Sequence, residues 1–162
     1  MQPRQGQPVS RHDHLDASGP AVEDHGRAVT ASLQAATWYR QAQRAIDHRR
    51  AATALRLAVE ADPAFELALA DLDAMTGTSG QRHGRGQMNW ERHHIEVVRT
   101  AASGNAKRAA DLLREHLAGV GCDPLAFRIV AQMRHSMRMD DDFEDLTGQL
   151  PDCHRTRWPS PP

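Results

Sequence analysis

The sequence predicts an all-α protein, because both its composition and the spacing of its apolar residues favour helices. Of the 162 residues, 40% are hydrophobic and only 4% are aromatic, so alanine, leucine, valine and methionine must form the core. Alanine has the highest helix propensity, and its small side chain lets two helices approach closely. A sheet protein would need more valine, isoleucine, threonine and tyrosine.

Three helices are predicted in the first half of the chain from apolar residues at helical spacing. The first is expected over about 22–47, with Leu33 and Ile46 on its apolar face, and the second over about 49–61. An Asp-Pro step follows, which is the composition of an N-cap and a first helical position, so it predicts the start of a third helix at residue 63.

The second half is predicted to contain three further helices and a short seventh. After a glycine-rich loop at 76–87, the expected spans are about 89–103, 106–118, 124 onward and 141–149. Gly-Asn at 104–105 has turn and C-cap composition, and a second Asp-Pro step at 123–124 starts the sixth helix. Short connections make sequential helices antiparallel neighbours, so these helices are expected to form hairpins.

Small residues at fixed spacing indicate close helix packing in the hairpin at 32–65. Ala51, Leu55, Ala58 and Pro63 stand in the order A-x3-L-x2-A-x4-P. The helical domain is expected to cover 22–150. The flanking segments 1–20 and 151–162 have too few apolar residues in periodic order to fold, so disordered tails are predicted there.

This frame and two later segments resemble bacterial tetratricopeptide-repeat proteins similar to the tetratricopeptide repeat protein 38 group. The segments are AATALRLAVEADPAFELALADL, NWERHHIEVVRTAASGNAKRAADLLREHL and DPLAFRIVAQM, within about 35–133. The two Asp-Pro steps lie 61 residues apart, which is not a multiple of the roughly 34-residue period. The resemblance therefore implies a short, degenerate, right-handed solenoid that serves as a protein-protein interaction scaffold and has no catalytic residues.

Charge and targeting signals exclude several classes of function. The chain has 20 basic and 21 acidic residues, so its formal net charge of −1 argues against a nucleic-acid or membrane partner. The N-terminus lacks the apolar region of a signal peptide, and no apolar run approaches membrane-spanning length, so a cytoplasmic location is expected. Cys122 is expected to be a small apolar residue near a turn, because two cysteines do not form a disulfide framework.

Histidines and carboxylates leave two alternative functions open. Glu91, His93 and His94 on one predicted helix are candidate residues for a metal-dependent helical-bundle enzyme. A di-iron bundle needs two Glu-x-x-His motifs, and this chain has only one, which argues against that enzyme. The other histidines show no paired zinc-ligand spacing. No metal, cofactor or catalytic residue is therefore predicted. The second alternative is a regulatory module that acts with a DNA-binding partner.

Four arginines are the predicted partner-binding residues of the scaffold. In the repeat frame, Arg40 and Arg44 of the first helix and Arg92 and Arg99 of a later helix face a common groove. Arginine binds carboxylates in a bidentate manner, so an acidic peptide or protein is the expected partner. The alternative is that these arginines are solvated and pair loosely with acidic neighbours.

The composition of the two ends generates a first prediction. Removing residues 1–20 together with 154–162 should leave the free energy of unfolding unchanged, because neither segment has apolar residues to bury in periodic order. Chemical denaturation of the full-length and truncated proteins measures this. A loss of cooperative unfolding in the truncated protein would contradict the predicted domain boundaries.

Overall fold

Six α-helices make up the computed structural model, which describes residues 21, 23, 26–78 and 88–136. Among these residues there is no β-strand, so the predicted all-α class is confirmed. None of the helices found there has the length and apolarity needed to cross a membrane. The helices are α1 (Leu33–Arg44), α2 (His48–Ala61), α3 (Glu66–Thr76), α4 (Asn89–Ala102), α5 (Ala106–Val120) and α6 (Pro124–Ser136).

Helix α1 begins eleven residues later than predicted, at Leu33. Ser32 has an extended backbone, and its side chain accepts a hydrogen bond from the backbone N–H of Ala35, which caps the helix. Upstream, the backbone N–H of Val29 donates to the carbonyl of Ala21 at 2.9 Å. The cap and this bond hold the preceding segment outside the helix, so the predicted start at residue 22 is wrong.

The first Asp-Pro step ends α2 and does not start α3. The backbone N–H of Asp62 donates to the carbonyl of Ala58 at 3.0 Å. The Asp62 carboxylate accepts from the backbone N–H groups of Ser32 at 2.8 Å and Ala64 at 3.1 Å. Because both carboxylate oxygens of Asp62 accept from these two groups, Asp62 does not cap the next helix. Helix α3 begins at Glu66.

The second Asp-Pro step starts α6, as predicted. Asp123 accepts a hydrogen bond from the backbone N–H of Ala126 at 3.1 Å through Oδ1, and Pro124 occupies the first helical position. Every residue over 124–130 is buried. A helix that is covered all round lies in the interior, and α6 packs against α1, α3, α4 and α5.

Alanines form the closest helix contacts, while two predicted core residues lie at the surface. Ala51 and Ala58 of α2 are fully buried against α1, which confirms the small-residue frame of this hairpin. Leu33 and Ile46 are 63% and 70% exposed, so their predicted burial is wrong. Leu33 is the first residue of α1, and Ile46 lies in the turn after α1 ends, so neither faces α2.

Cys122 is disulfide-bonded, and the described residues contain no free cysteine. The expectation of an unpaired apolar cysteine at this turn is therefore wrong. Sequence spacing carries no signal for a single disulfide, because the bond depends on the distance between two side chains in the fold.

The packing of α2 generates a second prediction. Ala58→Arg should destabilise the protein by at least about 3 kcal/mol, because the substitution overpacks a closed contact and buries an unpaired charge. Ala118→Arg on α5 is the matched control, because Ala118 is exposed, and it should change stability by less than about 0.5 kcal/mol. Urea unfolding followed by circular dichroism measures both. Equal stability of the two variants would contradict the observed burial of Ala58.

Candidate functional site

Four buried ionisable side chains from four helices meet in the interior, and we call them the His–Asp network. They are Asp71 in α3, His94 in α4, His116 in α5 and Asp123 at the start of α6, and each is at most 2% exposed. Such groups are rarely buried without partners, because taking a charge out of water costs several kcal/mol (~5 or more).

His94 lies at the centre of the His–Asp network, between the two carboxylates. Its Nε2 is 2.6 Å from Oδ1 of Asp71, and its Nδ1 is 2.6 Å from Oδ2 of Asp123. Nε2 of His116 is 2.9 Å from the same Oδ2 of Asp123. No described residue forms a hydrogen bond with Nδ1 of His116. One carboxylate oxygen thus serves two imidazoles from two helices.

Tyr39 extends the network to α1. Its hydroxyl donates to Oδ2 of Asp71 at 2.8 Å, and its ring packs edge-on against Phe65 with centroids 5.2 Å apart. Both Asp71 oxygens are therefore occupied, one by a phenol and one by an imidazole. The network consequently joins α1, α3, α4, α5 and α6.

Helical periodicity places these side chains inside. Asp71 lies four residues after Leu67 and four before Met75, both buried on the same face of α3. His94 lies three residues after Glu91, and His116 three after Leu113, on the buried faces of α4 and α5. On each of these three helices, the polar residue occupies a position on the buried face that an apolar residue would ordinarily fill.

The carboxylates and imidazoles shift one another's pKa values. Burial by itself disfavours the charged imidazole, yet the charges of Asp123 and Asp71 and their hydrogen bonds raise the pKa of His94 from 6.5 to about 10. Burial acts to raise the pKa of Asp123, but His94 and His116 hold it well below its usual range. Burial dominates at Asp71 and raises its pKa above 3.8. Asp123 has two imidazole partners and Asp71 has one, which accounts for the opposite directions.

Three atoms of the network are arranged as a group that can ligate a metal. His94, His116 and Asp123 each offer one ligand atom, and these atoms lie within 4.8 Å of one another. The predicted set of Glu91, His93 and His94 is not brought together, because His93 is exposed and Glu91 binds elsewhere. No metal was predicted, and the sequence analysis missed Asp71, His116 and Asp123. The signal for Asp71 and His116 was a polar residue on an apolar helix face, whereas Asp123 was visible only as the cap of α6.

Glu91 fixes the segment before α1 instead. Its carboxylate accepts from the backbone N–H of Thr30 at 2.7 Å and from the Thr30 hydroxyl at 3.1 Å. It also accepts from the backbone N–H of Met88 at 3.0 Å, as the third residue of a capping box does. A carboxylate that is saturated by these donors is not a ligand for the His–Asp network.

A second buried carboxylate, Glu23, holds the same segment against α1 and α4. Arg27 donates to both Glu23 oxygens at 3.1 Å, and Gln43 of α1 donates to Oε2 at 2.7 Å. The Arg27 guanidinium lies 4.4 Å from the centroid of the Trp90 ring. The indole N–H of Trp90 donates to the carbonyl of Ala28 at 3.0 Å.

The surface offers one further candidate, a cleft of about 460 Å³ between α1 and α2, which we call the α1–α2 cleft. It combines an aromatic ring, aliphatic side chains and three guanidinium groups. The lining residues are Trp38, Gln41, Arg44, Ala45, Arg49, Arg50, Thr53, Ala54 and Leu57.

The four arginines of the predicted groove lie in different surroundings. Arg44 lines the α1–α2 cleft. Arg40 donates to the Thr37 hydroxyl one turn earlier in the same helix at 3.1 Å. Arg92 and Arg99 are exposed on α4, whose main neighbours are α3, α5 and α6. The common groove of all four arginines stays a prediction.

Comparisons with known proteins add no family to this picture. No protein-family model, curated protein or solved structure matches the chain. The tetratricopeptide resemblance therefore stays a prediction.

The single tyrosine generates a third prediction, about alkaline pH. Burial, then the charge of Asp71, raises the pKa of Tyr39 well above 10.0. The stability that this provides is complete below pH 10, the pKa of the unfolded phenol, and is lost as pH rises above it. Tyr39→Phe lacks this dependence, so its free energy of unfolding should fall less steeply between pH 9 and 11. At pH 7 it should cost about 1–3 kcal/mol, because Asp71 loses a buried donor.

Urea unfolding at a series of pH values compares Tyr39→Phe with the natural protein. Absorbance at 295 nm follows the phenolate directly, since Tyr39 is the only tyrosine. Ionisation of the folded protein with a pKa of 10 would contradict the buried contact with Asp71.

Proposed function

We propose that the chain is a non-catalytic helical interaction module of tetratricopeptide type, and that its α1–α2 cleft binds an acidic peptide or an acidic segment of a protein. The single observation that supports this most directly is the composition of the cleft. Trp38 and Leu57 supply apolar surface, and Arg44, Arg49 and Arg50 surround it with positive charge.

The packing of the helices supports the repeat-type architecture. Three residues connect α1 to α2, and three connect α4 to α5, and each pair packs together. Helix α6 packs on both α4 and α5, as the first helix of a following unit does in a repeat array. The contact between α6 and α1 departs from a linear array, in which each unit contacts only its neighbours.

Charge and exposure favour a carboxylate ligand. Arg44, Arg49 and Arg50 are all exposed, and a guanidinium binds carboxylate oxygens through two parallel hydrogen bonds. Arg50 forms an ion pair with Asp47 at 3.2 Å, with the side chains 77% and 51% exposed. An exposed pair of this kind contributes little, so a ligand carboxylate can replace it. The three guanidinium groups that line the cleft are positively charged, and an acidic segment complements that charge.

The location of the ionisable groups supports a non-catalytic function. Apart from Thr53, the cleft lining contains no hydroxyl, and it contains no histidine, cysteine or carboxylate. The His–Asp network is at most 2% exposed, so a substrate cannot reach it. A general acid or base must come within hydrogen-bond distance of its substrate.

Charge reversal in the cleft generates a fourth prediction. Arg44→Glu with Arg49→Glu should weaken binding of fluorescein-labelled ten-residue peptides of Asp, Glu and Leu by at least tenfold, measured by fluorescence anisotropy. Arg92→Glu with Arg99→Glu is the matched control on α4, with the same change in net charge, and it should stay within about twofold. Binding to the natural protein should weaken as salt is raised from about 50 to 500 mM.

The two variants separate the possible outcomes. Loss of binding only in the α4 variant would move the site to Arg92 and Arg99 and contradict the cleft. Absence of measurable binding of any acidic peptide to the natural protein would contradict the proposed ligand. Circular dichroism of both variants shows that the fold is retained.

A further inference from the structure

We infer that His94, His116 and Asp123 form a buried, three-residue site for one zinc ion. The ligand atoms are Nδ1 of His94, Nε2 of His116 and Oδ2 of Asp123, contributed by α4, α5 and the start of α6. This site is independent of the α1–α2 cleft, and neither proposal depends on the other.

The donor set matches the coordination chemistry of zinc. Two imidazole nitrogens and one carboxylate oxygen are ordinary zinc ligands, and the same donors also suit iron, copper and nickel, whereas calcium and magnesium prefer all-oxygen sites. Zinc–ligand distances of about 2.0–2.1 Å place tetrahedral ligand atoms roughly 3.3 Å apart. The carboxylate oxygen lies 2.6 Å and 2.9 Å from the two nitrogens. When the ion replaces the shared protons, these two separations must widen by roughly 0.7 Å and 0.4 Å, and a water molecule would complete the tetrahedron.

A supporting layer of hydrogen bonds orients two of the three ligands, His94 and Asp123, as it does in known zinc sites. A metal-bound histidine usually donates its other ring N–H to a carboxylate. Here Nε2 of His94 is 2.6 Å from Asp71, which is itself held by the Tyr39 hydroxyl. Oδ1 of Asp123 accepts from the backbone N–H of Ala126, so Oδ2 is directed at the two imidazoles. Neither support uses an atom that the ion would need.

Charge balance favours a divalent ion. The network contains two carboxylates and two imidazoles, all at most 2% exposed. In the zinc-bound form the ion replaces the imidazolium proton of His94, so both imidazoles are neutral and the two negative charges of the carboxylates are cancelled by one zinc ion. An uncompensated charge in such an interior is strongly unfavourable. Because the site is buried, the ion enters as the chain folds, and it links α4, α5 and α6.

The experiment uses the full chain without a histidine tag, unfolded in guanidinium with EDTA and refolded without reductant, so that the disulfide is retained. Refolding with zinc chloride should give one zinc per chain after gel filtration, measured by inductively coupled plasma mass spectrometry. Zinc at about a hundredfold above the dissociation constant should raise the melting temperature by roughly 10 °C over the EDTA sample. Cobalt(II) should produce the intense visible absorption of a tetrahedral site.

Two variants locate the ion. His116→Gln keeps an amide donor for Asp123 but removes a ligand, and it should lose the bound zinc and the visible cobalt bands. His93→Gln changes the exposed neighbour of His94 on α4, and it should retain both, which excludes binding by surface histidines.

The inference is overturned if the natural protein retains less than about a fifth of a zinc ion per chain, or if its melting temperature does not depend on zinc. It is also overturned if the His116→Gln variant binds as much zinc as the natural protein. If His116→Gln does not fold, the cobalt spectrum of the natural protein decides. Absence of tetrahedral bands then overturns the site.

Discussion

The burial of two carboxylates, Asp71 and Asp123, imposes the strictest requirement on this fold. Each must receive compensating charge or hydrogen bonds, because water does not reach either group. His94 supplies both, with one ring nitrogen for each carboxylate at 2.6 Å. A rotation of α4 by one residue would direct His94 elsewhere and leave both carboxylates uncompensated. The network therefore fixes the rotation of α4 relative to α3 and α6 more strictly than apolar packing does.

Helix α6 depends on the same requirement, since Asp123 has two functions. One carboxylate oxygen caps the helix at Ala126, and the other joins the network. The following residues through Val130 are buried, so the helix is placed in the interior with its start anchored. Asp123 therefore couples the start of α6 to His94 of α4 and His116 of α5. Helix α3 joins them through the bond between His94 and Asp71.

The interior also positions the surface that we propose for binding. Nη2 of Arg128 on α6 donates to the carbonyl of Ala45 at 2.6 Å, and Ala45 lines the α1–α2 cleft. Tyr39 connects the opposite side of α1 to Asp71. The cleft is thereby held by α6 and the His–Asp network, while its arginines remain exposed. Exposed guanidinium groups above a buried, hydrogen-bonded interior suit the binding of an acidic segment.

Local signals in the sequence sufficed for several elements. Gly104 has a positive φ of 84° and Asn105 caps α5, as their composition predicts, and the second Asp-Pro step starts α6. These features depend on residues three or four positions apart. The segment before α1, the turn at Asp62 and both hydrogen bonds of His94 depend on partners 23 to 61 residues away. Only packing brings such partners together, because a polar residue on an apolar helix face reveals a need for a partner and not which helix supplies it.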